Sequence, residues 1–191
     1  DRLNVLAASM TGDVLFRGRV PKAEGALTPA GRVTFAARPG AVHLRMTAEG
    51  ASGQFIDAED REVVVPDFTK VGPTVTSPEV YRARTARELQ QLRESPAALP
   101  TGVKSFTRNE QLLVRFRAYG PGGTTPTVTV RLLNALGEPM STLAAPVARP
   151  DGTLELPVSL GGLATGNYML EFEAVSSDQK SRTLWGFKIG S

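Results

Sequence analysis

Cysteine is absent from the 191 residues, and histidine occurs once, at His43. The first absence excludes disulfides, thiolate metal sites and cysteine nucleophiles. It leaves the compartment open, because cytosolic and exported chains can both lack cysteine. No Gly-x-Ser-x-Gly elbow is present to carry a serine nucleophile. No stretch approaches the ~20 apolar residues that a membrane helix needs, so direct membrane insertion is not expected. No run of like charges occurs and the net charge is only +3, so neither a nucleic-acid tail nor a membrane-surface tail is expected. Apolar residues make up 41% of the chain, enough for a packed core without staples. The chain opens on Asp1 in mid-pattern, as expected of a fragment or processed product whose signal peptide has been removed from view.

What is present is a weak internal repeat. Leu163-Ala164-Thr165-Gly166-Asn167-Tyr168 leads into alternating Leu170 and Phe172, and Trp185-Gly186-Phe187-Lys188-Ile189 follows after a polar loop. Shifted back by 126 positions, Gly40 falls on Gly166, Val42 on Tyr168, Leu44 on Leu170, Met46 on Phe172 and Val63 on Ile189. Two copies of this kind point to an all-β chain of two tandem antiparallel β-sandwich modules of immunoglobulin type. The organisation expected is a module over residues 1–70 that lacks at least one strand of the other copy, a connector with a short helix over 71–103, and a second module over 104–191.

The second copy carries the clearer strand pattern. Leu112 to Tyr119 alternates apolar and charged residues, the mark of a half-buried strand, and Gly120-Pro121-Gly122-Gly123 ends it as a turn. Thr127 to Leu133, Ser141 to Val147 and Thr153 to Val158 are further strands, and Asp178 sits in the last hairpin loop. In the first copy the strands expected are Val14–Val20, Arg32–Ala36, Val42–Thr47 and Glu62–Val65. That copy lacks a counterpart of the Leu112 strand, so either upstream residues are missing or the connector completes the sheet. In the connector, Thr85-Ala86-Arg87-Glu88 matches a capping box and predicts a helix over Ala86–Glu94, docked by Leu89 and Leu92.

Leu163-x-x-Gly166-x-Tyr168 resembles the corner that enters the penultimate strand of bacterial immunoglobulin-like, fibronectin-III-like and macroglobulin-like domains. The resemblance spans roughly residues 105 to 190 and implies a tyrosine hydroxyl capping the backbone of the corner. A second resemblance lies in Val80-Tyr81-Arg82-Ala83-Arg84-Thr85-Ala86-Arg87-Glu88-Leu89. Followed by a sandwich, it is similar to the region downstream of a von Willebrand factor A-like domain in exported bacterial proteins. The Asp-x-Ser-x-Ser metal motif of that A-domain is absent here, so its metal-dependent binding passes to no residue of this chain.

The candidates for chemistry are few. His43 alternates with Val42 and Leu44, so an inward Val42 turns His43 outward beside Arg45. Asp57, Glu59 and Asp60, with Asp67 beyond, form an acidic cluster expected in a loop. It offers oxygen ligands for a hard cation, but its spacing is not that of a calcium loop, and a solvated turn is the default. Arg17 with Arg19, and Arg115 with Arg117, read as outward stripes with Phe16 and Phe116 turned to the core. Trp185 shares parity with Phe187 and Ile189, which favours a core position over a sugar platform. No catalytic residue, cofactor or metal site is therefore assigned. The function expected is a non-enzymatic, extracytoplasmic accessory region that binds a protein partner or spaces domains, with a carbohydrate-binding or substrate-positioning module as the alternative.

Overall fold

A computed structural model describes residues 2–20, 33–68, 72–95 and 98–190. The chain divides into two compact units, Asp1–Asp67 and Phe68–Ser191. Both are built from antiparallel strands, apart from one short parallel pairing in the second, and the described residues are of the all-β class.

In the first unit, β1 (Arg2–Ser9), β2 (Val14–Val20), β3 (Gly40–Glu49) and β4 (Phe55–Val65) form one sheet in the order β2-β1-β3-β4. The central strand β1 has no clean alternation, because Val5-Leu6-Ala7-Ala8 is an unbroken apolar run. Its two neighbours decide its state, and Val5 and Ala7 are buried against them. The strand expected at Arg32–Ala36 does not form over 33–36, and Arg32 lies outside the described residues. Phe35 instead stacks on Phe16 at 5.7 Å between ring centroids, packing a side chain without a ladder. The last strand is longer than its expected Glu62–Val65 core, because pairing with β3 carries it back to Phe55.

The second unit holds a two-sheet sandwich. One sheet is β12 (Val147–Ala148), β13 (Leu154–Ser159), β8 (Gln111–Phe116) and β6 (Glu79–Ala83), in that order. The other is β11 (Pro139–Thr142), β10 (Thr127–Leu133), β14 (Gly166–Ser176), β15 (Gln179–Ile189) and β7 (Ser105–Phe106). A two-stranded pair, β5 (Thr74–Val75) with β9 (Ala118–Tyr119), completes the unit. This is the immunoglobulin order, with four strands facing an extended sheet around β10, β14 and β15. Residues of the expected connector thus supply β5 and β6, whose hydrogen-bond partners belong to this unit. The core is the seam between the sheets: Val80, Leu112, Val114 and Leu156 from one, Val130, Leu170, Phe172 and Ile189 from the other. Phe116 meets Phe172 edge to face at 4.9 Å. Trp185 is half-buried and packs on that core beside Phe106 and Phe187.

The repeat corresponds to two hairpins, β3–β4 and β14–β15. Gly166 pairs with Ile189, whereas Gly40 pairs with Val65 and not Val63. The first hairpin turns over a tip, 50–54, three residues longer than the second at 177–178, while β3 is one residue shorter than β14, so the match shifts by two residues. An even shift keeps the same side chains on the same face, so the sequence likeness survives it.

The corner forms as expected. Tyr168 is buried and its hydroxyl donates to the Ala164 carbonyl at 2.9 Å. Tyr168→Phe leaves that carbonyl without its donor and should cost about 1 to 3 kcal/mol in urea unfolding. An unchanged midpoint would show that the corner is held by packing alone.

Candidate functional site

In the first unit, the row crossing the sheet runs Arg17, Leu6, Arg45, Asp60, each opposite the next. These side chains share one face, with Arg19, Thr47, His43 and Glu62 in neighbouring rows. His43 is exposed, opposite Ala8 on one side and Glu62 on the other. A shallow groove there is lined by Leu6, Ala8, His43, Leu44, Arg45, Asp60, Arg61 and Glu62. It contains a base but no serine, threonine or tyrosine for that base to activate.

The acidic cluster is not in a loop. Asp57, Glu59 and Asp60 all lie on β4, because β3 offers a full set of ladder partners from Val42 to Ala48. Strand geometry turns Asp57 and Glu59 to one face and Asp60 to the other. Glu59 is engaged by the Arg61 guanidinium at 2.5 Å, and the Asp57 carboxylate accepts from the Ala58 N–H at 2.8 Å. Among the described residues no three histidine or acidic side chains gather as a metal-holding group. Among them, too, no helix is long and apolar enough to cross a membrane.

The second unit places its charges differently. Arg115 is not part of an outward stripe: it is buried, and only Arg117 stays exposed. The reason is α1 (Ala86–Glu94), which lies beside β6 and β8 and covers the outer face of β8. Thr85 caps this helix by accepting from the Glu88 N–H at 3.1 Å, and Glu88 reaches back to accept from the Arg84 N–H at 2.7 Å. Its C-terminus is closed by guanidinium groups. Arg115 Nη2 donates to the Leu92 carbonyl at 2.6 Å, and Arg149 Nη1 donates to the Arg93 carbonyl at 3.0 Å. Positive charge is favoured at that end of a helix.

One carboxylate holds these groups together. Glu155 on β13 is buried and accepts from Arg115 Nε at 3.0 Å and Arg149 Nη1 at 2.8 Å, with Arg93 Nε at 3.4 Å. The Arg115 guanidinium also lies over the Tyr81 ring at 4.8 Å. Leu89 and Leu92, expected to dock the helix by full burial, are only half-buried. The helix is therefore fastened chiefly by its C-terminal carbonyls, which composition does not advertise.

Two further buried carboxylates follow the same rule. Glu171 on β14 is engaged by Arg131 and Arg182. Glu110 is engaged by Arg82 at 2.5 Å and accepts from the Thr107 N–H at 2.8 Å. Burial disfavours the charged form of Glu110, but the Thr107 N–H and the cations of Arg82 and Arg84 outweigh it. Its pKa is accordingly held below the ordinary value of 4.5.

No protein-family model matches the chain. No curated protein matches it. Among solved structures, the crystal structure of a tetra-tandem repeat in the extending region of a large adhesion protein matches with 13% identity and a TM-score of 0.38. That match covers 100% of this chain, which spans 42% of the other.

The helix and the buried carboxylates give three predictions. Arg115→Met leaves Glu155 short of a partner and Leu92 without its donor, and should cost about 3 kcal/mol in urea unfolding. Leu89→Ala and Leu92→Ala should each cost less than about 2 kcal/mol, below the range for fully buried leucines. Because the Glu110 pKa is depressed on folding, its stabilisation is complete above pH 4.5 and is lost as the pH falls through the folded value. The gap between wild type and Glu110→Gln, about 1 to 3 kcal/mol in urea at pH 7, should then narrow as the pH falls below 4.5. A gap that stays constant with pH would contradict that coupling.

Proposed function

We propose that the chain is a non-enzymatic accessory region that holds, spaces or contacts protein partners. The observation that carries this reading is where the ionisable groups are spent. Each of the second unit's buried carboxylates, Glu110, Glu155 and Glu171, is tied to arginines from other strands or from the helix. Buried ionisable groups mark catalytic sites when they face a cleft. Here they cross-link elements, which is the use a shape-keeping module makes of them. The one histidine stands on an open face without a nucleophile beside it.

In this reading the region belongs to an exported bacterial protein, lies outside the cytoplasm and follows a von Willebrand factor A-like domain. The alternative of a carbohydrate-binding or substrate-positioning module draws less support. It needs a strip of exposed aromatics, whereas Trp185, Phe187, Phe106 and Tyr168 pack on one another.

A panel of ester, peptide and glycoside substrates should give background rates only. Turnover that disappears in His43→Ala would overturn the reading.

A further inference from the structure

The first unit's sheet ends in two edges, and they carry opposite charge. β4 presents Asp57, Glu59, Asp60 and Glu62 against one arginine, Arg61. β2 presents Arg17 and Arg19 and no acid. Among the described residues, no strand pairs with the outer side of either. An edge of this kind leaves every second residue's backbone N–H and C=O without a ladder partner. β4 is exposed from Phe55 to Val64, and Phe55, Ile56, Val63 and Val64 are large apolar side chains among those left uncovered.

Strand direction and parity make the two edges fit. β2 and β3 run one way and β1 and β4 the other, since every neighbouring pair is antiparallel. A copy displaced sideways by the width of the sheet therefore lays its β2 antiparallel to β4. Arg17 shares a face with Asp60, because both lie in the row through Leu6 and Arg45. In the register that sets Arg19 opposite Asp60, Arg17 falls opposite Glu62 and Phe16 opposite Val63. Both charged pairs then stand on one face and the apolar pair on the other. Opposite charges directly across strands stabilise the pairing, and like charges destabilise it. Arg17 is exposed and Arg19 keeps its side chain 54% exposed while touching Asn4 and Glu49. Pairing of β4 with the β4 of another copy is opposed by net charge, since each strand carries four acids against one arginine: the antiparallel register that joins Phe55 to Val65 sets Asp60 against Asp60 and leaves only the Glu59–Arg61 contacts of opposite sign.

We propose that the β4 edge receives the β2 edge of a second copy of this chain, continuing the sheet from one copy to the next. This contact rests on the interaction reading above and gives it a surface and a partner. It is heterologous, so it leaves one free edge at each end and builds an open chain, not a closed dimer.

Sedimentation velocity on the whole chain tests it. At low ionic strength the mass should rise with concentration without settling at a dimer, and salt should reverse the rise by screening the rim charges. Arg17→Glu with Arg19→Glu, and Asp60→Arg with Glu62→Arg, should each weaken association by about tenfold or more. Mixing the two double variants restores opposite charges at every edge contact. Association should return, with new amide-exchange protection along β4. A monomer up to about 1 mM at low salt would overturn the proposal. So would variants that assemble like wild type, or a mixture that associates without protecting β4. These failures leave the non-enzymatic reading standing, and only turnover at His43 removes that one.

Discussion

The buried carboxylate of Glu155 is the interaction on which the second unit's arrangement depends. A charge taken out of water needs both opposite charge and hydrogen-bond donors. Glu155 finds them in Arg115, Arg149 and Arg93, which come from β8, the turn after β12 and α1. The same guanidinium groups close the Leu92 and Arg93 carbonyls at the helix end. Sheet and helix therefore satisfy one another's unpaired groups. Replacing the whole set with apolar residues could leave stability unchanged, but removing one member strands the others. The node's contribution is accordingly to geometry: it fixes where the helix ends and which face of β8 it covers.

The two units use charge in contrasting ways. In the second, acids are buried beneath arginines and serve as cross-links between elements distant in sequence, as with Arg82 and Glu110 or Arg131 and Glu171. In the first, charge stays on the surface and is sorted by strand, basic along β2 and acidic along β4. Exposed pairs contribute little to stability but do decide which strands meet. Buried charge thus suits one unit to keep its shape, and edge charge suits the other to contact something.

Much of the second unit was legible in the sequence because its signals are local. Gly166 and Tyr168 announce the corner, Thr85 and Glu88 announce the helix start, and clean alternation marks β14 and β15. The harder parts are those decided by partners. Arg115 reads as a surface residue because nothing near it in sequence reveals that α1 returns over it. β1 lacks a period of its own, and β4 is acidic enough between Asp57 and Glu62 to resemble a turn. Both strands are imposed by β3, which pairs with each along its length. Of the candidate site residues, His43 keeps its expected outward position, whereas Asp57, Glu59 and Asp60 lie along a strand and divide between its faces.

Native-state hydrogen exchange of the α1 amides measures most directly whether Glu155 and Arg115 make the helix part of the sandwich. A nine-residue helix is marginal in water by itself, and its amides open freely. Docked through its C-terminal carbonyls, it should open together with β8 and β13, so that Leu89 and Gln90 exchange with the same denaturant dependence as Val114 and Leu156. Exchange of the helix far ahead of those strands, with no denaturant dependence, would show that it only rests on the sheet and that the buried node does not hold it.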